Sequence, residues 1–141
     1  MEAYQTLMAN FESLTPSFTT PDLHGCLDFY RDLLGFEVTS EYVTEGQLRW
    51  VELTSGGVVL MLLAADDETD VHVDAPGVIF YCRVSDVGEI RARLDANDVA
   101  VSPIEVTFYG MRECYVRDPD GRQLTLAEPS SPDEPVTIAE L

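Results

Sequence analysis

Lysine is absent from these 141 residues: all eight basic positions are arginine, set against 26 aspartates and glutamates. The resulting formal net charge of -18 repels phosphate backbones and argues against a nucleic-acid partner. Two readings of that charge stay open: solubility or adaptation to a salty interior, and steering of a cationic ligand. Long apolar runs are missing as well. No stretch reaches the roughly 18 residues of a membrane span, and the Met1-Glu2 start lacks the basic segment of a signal peptide. A cytoplasmic protein without a membrane partner is therefore expected. Cysteine is sparse: Cys26, Cys82 and Cys114 are odd in number, widely spaced and free of any Cys-x-x-Cys pair. That pattern points away from a disulfide framework or a structural zinc site and toward reduced thiols in the core. Histidine is scarcer still, with only His24 in the first turn of an expected helix and His72 in an acidic stretch, both read as exposed.

What the chain does have is an internal repeat. Residues 22 to 64 are answered by residues 86 to 128, so that Asp22 matches Asp86, Gly46 matches Gly110, Gly57 matches Gly121, and Leu60 and Leu62 match Leu124 and Leu126. With 45% apolar residues the chain can bury a core, and two copies of one small unit bury their apolar faces by packing together. A cleft between the copies is the natural place for a ligand.

Each copy reads as βαβββ. Tyr4, Leu7, Met8 and Phe11 fall at helical spacing, so residues 1 to 13 are expected to form an amphipathic helix or arm. A strand over residues 14 to 20 leads to a helix capped by Asp22, with Leu23, Cys26, Leu27, Tyr30, Leu33 and Leu34 on one stripe and Gly35 as the stop. Strands over residues 36 to 43, 47 to 53 and 58 to 64 follow, with turns at 44 to 46 and 55 to 57. The acidic residues 66 to 76 form a solvated linker, since they lack the glycine and terminal glutamate of an EF-hand loop. The second copy repeats the order: a strand over 78 to 84, a helix with a capping box from Asp86 and Glu89, and strands over 99 to 107, 111 to 117 and 122 to 127. The expected organisation is an arm (1 to 13), one α+β domain (14 to 128, with modules 14 to 65 and 77 to 128) and a mobile acidic tail (129 to 141).

The segment Leu27-Asp28-Phe29-Tyr30-Arg31-Asp32-Leu33-Leu34-Gly35-Phe36, followed by Tyr109-Gly110-Met111-Arg112-Glu113 and Val116-Arg117-Asp118-Pro119-Asp120-Gly121, resembles the vicinal oxygen chelate superfamily. That superfamily contains glyoxalase I, extradiol dioxygenases, fosfomycin-resistance enzymes and bleomycin-resistance proteins. The resemblance covers about residues 13 to 128 and implies two tandem βαβββ modules forming a half-barrel cleft. It also implies where a metal would sit in metal-using members. Thr15 and Ile79 fall at the first-strand ligand positions, Met61 and Thr125 at the last-strand ones. None of these side chains offers the imidazole or carboxylate that such metals require, so no metal and no cofactor are expected. The bleomycin-resistance type is the nearest branch on this count. Its opening Thr-Pro is echoed by Thr15-Pro16, and its Trp-Gly becomes Tyr109-Gly110.

Strand alternation, phased on those four positions, gives a cleft face of Thr15, Ser17, Thr19, Val59, Met61, Leu63, Ile79, Tyr81, Arg83, Gln123, Thr125 and Ala127. The opposite faces carry Phe18, Leu60, Leu62, Phe80, Cys82, Val84, Leu124 and Leu126 for helix packing. Candidate ligand-binding residues are Ser17, Trp50, Met61, Ile79, Tyr81, Arg83, Tyr109, Arg112 and Thr125. Each has a plainer alternative: Trp50, Met61 and Tyr81 as packing, Arg83 and Arg112 as partners of surface carboxylates, Glu113 as a strand surface residue. Three functions remain open at this point. They are a metal-free protein that binds or sequesters a small aromatic or cationic molecule, a metal-independent lyase or isomerase using Glu105, Glu113 or Tyr109 as acid or base, and a regulatory or structural dimer. A homodimer is expected, because two four-stranded units leave open sheet edges.

Overall fold

Asp22 and Asp86 start the two helices. The Asp22 carboxylate accepts from the Gly25 amide at 3.0 Å and opens helix α1, Leu23–Asp28. A Cβ at position 25 would lie 2.3 Å from that carboxylate, so a larger residue there would require the Asp22 side chain to turn. α1 widens into a π-helical turn, Phe29–Leu33, and Gly35 at φ +84° ends it. Leu23, Cys26, Leu27 and Tyr30 form the buried stripe that the 3.6 spacing predicts, and the π turn adds Phe29. Helix α2, Val87–Ala96, begins on Asp86, which accepts from the Glu89 amide at 3.0 Å. Only this half of the expected capping box is present, because the Glu89 carboxylate is engaged by Arg93 one turn on, at 2.9 Å.

The computed structural model describes residues 7 to 66 and 77 to 138. Strands β1 (Ser17–Thr20), β2 (Glu37–Thr44), β3 (Gln47–Ser55) and β4 (Val58–Ala64) make one sheet in the order β1-β4-β3-β2. Strands β5 (Phe80–Arg83), β6 (Glu105–Val106), β7 (Met111–Arg117) and β8 (Gln123–Pro129) make a second, ordered β5-β8-β7-β6. β1 and β5 run parallel to β4 and β8, and the other neighbours are antiparallel. The fold is α+β, two tandem βαβββ modules. Registers keep the repeat: Ser17 lies opposite Met61, and Tyr81 opposite Thr125. In the middle strands the repeat slips by one, so that Trp50 and Glu113 are twins, opposite Leu63 and Ala127. Between these equivalent pairs the chain from β7 to β8 is one residue longer than the chain from β3 to β4.

The helix-bearing faces of both modules merge into one core containing Phe18, Tyr30, Val51, Leu53, Leu62, Val87, Leu94, Val116, Leu124 and Leu126. Phe18 and Phe80 meet across the seam edge to face, 5.0 Å between centroids. A polar clamp accompanies them. The Tyr30 hydroxyl donates to Asp118 at 2.8 Å, Arg122 donates to Asp118 at 2.9 Å and to the Thr19 carbonyl at 2.7 Å, and its guanidinium stacks 4.4 Å above Phe18. The three thiols are free, and burial pushes Cys26 up to about 12.

Several boundaries differ from expectation. β1 starts at Ser17 rather than at residue 14, leaving Thr15 outside it, and β5 starts at Phe80, leaving Ile79 outside. The strand expected over residues 99 to 107 shrinks to Glu105–Val106 and one bridge between Val101 and Val116. Pro103 has no N–H to give, and the Ser102 hydroxyl takes over a backbone role by accepting from the Tyr115 amide at 2.7 Å. Residues 7 to 13 are not helical; they offer Leu7, Met8 and Phe11 to solvent with no face to cover, where so short a helix is unstable. The acidic tail is tied down: Thr137 exchanges two 2.8 Å hydrogen bonds with Val106, and the Ser130 amide donates to the Gly110 carbonyl at 2.9 Å. Residues 1 to 6 of the expected arm, with Tyr4, and residues 67 to 76 of the linker, with His72, lie outside the described residues, while His24 is exposed as expected.

Candidate functional site

Strand alternation turns one face of each sheet to the core and leaves the other open. On the first module's open face the Trp50 indole N–H donates to the Met61 sulfur at 3.2 Å. Ser17 flanks Met61 on one side and Glu52 on the other, while Tyr42 lies opposite Trp50. Ser17, Trp50 and Met61 are therefore brought together, on an aromatic and sulfur-rich surface. The second module's open face holds Tyr81, Thr125 and Tyr115 in adjacent register, with Thr125 buried between the two phenols.

Beside them lies a residue that strand patterning assigned to the surface. Glu113 is 2% exposed. Its carboxylate accepts from the Tyr81 hydroxyl at 2.5 Å and from the Tyr109 hydroxyl at 2.7 Å. Among the described residues no arginine or histidine pairs with it. Hydrogen bonding to Glu113, reinforced by partial burial, pushes the Tyr81 phenol up to about 12 and raises that of Tyr109. Both phenols therefore stay protonated at neutral pH and hold an anion in place. The signal was present in the sequence: with Cys114 and Val116 facing the core, Glu113 and Tyr115 must share the other face.

The remaining candidates fall elsewhere. Arg112 lies off this face, paired with Glu128 at 3.0 Å and Glu134 at 3.5 Å, the carboxylate partnership anticipated as its plainer role. Ile79 and Arg83 line a cavity of about 1040 Å³ along the seam between the modules, together with Phe18, Tyr30, Phe36, Cys82 and Ile90; Tyr81 borders it. Phe18, Tyr30, Leu60, Leu124 and Leu126 on its wall belong to the core, so part of it is a seam of the packing, whereas the open faces carry the convergent polar groups of a binding surface. No helix of the described residues is long and apolar enough to cross a membrane.

Residues 13 to 126 match the glyoxalase/bleomycin resistance protein/dioxygenase superfamily. The chain belongs to this superfamily. Among solved structures it is similar to TnmS3, an antibiotic binding protein from Streptomyces sp. CB03234, with 26% identity over 88% of this chain and 100% of that one and a TM-score of 0.67. TioX from Micromonospora sp. ML1 shares 21% identity over 84% of this chain and 98% of that one, TM-score 0.69. A bleomycin resistance determinant encoded on transposon Tn5 shares 19% over 86% and 100%, TM-score 0.64. These last two likenesses establish the fold. No curated protein sequence matches the chain.

The resemblance in sequence assigns Thr15, Met61, Ile79 and Thr125 to the ligand positions of metal-using members of the superfamily. A hydroxyl, a thioether and an isoleucine do not fit such an ion. Among the described residues no group of three or more His, Cys, Asp or Glu side chains lies close enough to hold a metal.

Proposed function

We propose that this protein binds a small organic molecule, aromatic and cationic, without a metal, and acts by sequestering it. The observation that carries the reading is the pair of open sheet faces lined by Trp50 and Met61 on one module and by Tyr81, Tyr109 and Glu113 on the other. Aromatic planes around a few fixed polar groups suit a flat ligand, and the former metal positions offer no donors. The likeness to an antibiotic binding protein at 26% identity supports the same direction. A second copy, giving a homodimer, would enclose a ligand lying on either open face.

Thermal unfolding against a panel of antibiotic-like aromatic cations, neutral aromatics and divalent metals tests this. A true ligand at 100 times its Kd stabilises by about 2.7 kcal/mol, which for a domain of this size raises Tm by about 5–10 °C. Stabilisation by a transition metal alone, with none by any organic compound, would overturn the reading.

One observation favours a second reading, a metal-independent lyase or isomerase. Glu113 and its two phenols are the kind of hydrogen-bonded acid-base set that moves protons. Recovery of the bound ligand chemically unchanged after long incubation separates sequestration from turnover.

A further inference from the structure

The Tyr81-Glu113-Tyr109 cluster has a polarity that specifies more than an aromatic surface. We infer that this cluster is a receptor for a protonated amine or guanidinium group of the ligand, with Glu113 as its counter-ion; the inference rests on the binding function proposed above.

Three observations lead there. Glu113 is a buried carboxylate whose hydrogen bonds come from two neutral phenols; among the described residues no cation is in ion-pair contact with it, and Arg83, in register with it across Ala127, acts on the cluster from a distance. Its negative charge is solvated by hydrogen bonds yet not cancelled, whereas buried charges are ordinarily paired. Next, both phenol protons are committed inward to Glu113. The Tyr81 and Tyr109 oxygens therefore meet the outside only as acceptors, and an incoming group must bring its own donors. Finally, Tyr81 and Tyr109 are 49% and 53% exposed, so their rings remain accessible beside the carboxylate. An aromatic face turns its negative quadrupole to a cation, and a carboxylate at the hydroxyl ends of two such rings adds a full charge. An anionic ligand meets repulsion on every one of these counts.

The test uses three probes of nearly one shape: phenethylammonium, 2-phenylethanol and phenylacetate. Amide chemical shifts of the full chain are followed as each is titrated into wild type, Glu113→Gln and Glu41→Gln. Phenethylammonium is expected to shift Tyr81, Tyr109, Glu113 and Thr125, with an affinity at least about tenfold above that of the alcohol, the size of one charge-assisted hydrogen bond. Glu113→Gln should erase that preference. Glu41 is an exposed strand residue, and its replacement removes the same unit of charge from the general field, so Glu41→Gln should bind as wild type does. Equal losses in both variants would mean that the net charge, and not this cluster, attracts the amine, and would overturn the inference. So would the alcohol or phenylacetate binding this face as tightly as the amine, an outcome that leaves the small-molecule reading standing. Binding of no probe to either open face would count against both. Should Glu113→Gln fold poorly, Tyr81→Phe combined with Tyr109→Phe tests the same point: the carboxylate keeps its charge but loses its fixed position, and the amine preference should fall.

Discussion

Asp118 decides how the two modules meet. It is buried at the β7-β8 turn and gathers the Tyr30 hydroxyl from the first module, the Arg122 guanidinium, and the amides of Asp120 and Arg122 at 3.0 and 2.9 Å. Arg122 passes the restraint on to the Thr19 carbonyl and the Phe18 ring. Removing the carboxylate charge leaves a largely buried guanidinium short of its main partner, the costly way to break an ion pair. Asp118→Asn is therefore expected to lose about 3–5 kcal/mol of unfolding free energy in urea. Tyr30→Phe removes one hydrogen bond from an acceptor that keeps others, and should cost about 1–2 kcal/mol. Comparable losses in the two variants would show that Asp118 acts through Tyr30 alone. The contrast with Glu113 is instructive: Asp118 has its cation built in, and Glu113 does not.

Among the elements, the acidic tail against β6 shows where physics overrode composition. β6 is two residues long and lies at a sheet edge, and Thr137 supplies both an acceptor and a donor to Val106 there. Glu134 meanwhile joins Glu128 on Arg112. A chain truncated after Ser130 should lose about 1–2 kcal/mol, two exposed hydrogen bonds and part of an ion pair, and the Val106 amide should exchange faster with solvent. Unchanged exchange at Val106 would mean that the tail adds nothing to the edge. Proline and acidic residues disguised this contact, because a pairing made by one threonine has no periodicity to read. The helices were legible for the opposite reason: Asp22, Gly35 and the stripe from Leu23 to Tyr30 all state the same element. The sheets were legible through the repeat, whose register holds at Ser17-Met61 and Tyr81-Thr125. In the sequence Glu113 reads only as an acid-base candidate or a strand surface residue, apart from the candidate ligand-binding set, since its copy is Trp50 and only the longer β7-β8 connection brings those two into equivalence. The open faces were thus readable as surfaces, while the anion at the centre of one depended on which tyrosines reach it.

For the whole molecule, the charge of -18 acts on two associations in opposite directions, which makes it measurable. The open faces expose Tyr42, Leu63, Tyr81 and Tyr109, large side chains that a second copy would cover. If a homodimer forms on these faces, two strongly acidic chains must approach each other, and their repulsion weakens as salt shortens the screening length from about 30 Å at 0.01 M to about 3 Å at 1 M. Light scattering at micromolar concentration should therefore find a dimer whose population grows with salt. A monomer throughout, or a dimer that dissociates as salt rises, would show that aromatic faces do not make the contact. A cationic ligand responds the other way. The same field draws it in, so its association should slow as salt rises, while dissociation, set by contacts already made, changes little. Tyr109→Ala removes one ring and one hydrogen bond to Glu113, and should speed dissociation with little effect on the salt dependence of association. Rates measured across ionic strength at protein concentrations that hold the oligomeric state fixed keep the two effects apart. Salt-insensitive association of a cationic ligand would assign the acidic surface to solubility, and leave recognition to Glu113 and its phenols at contact range alone.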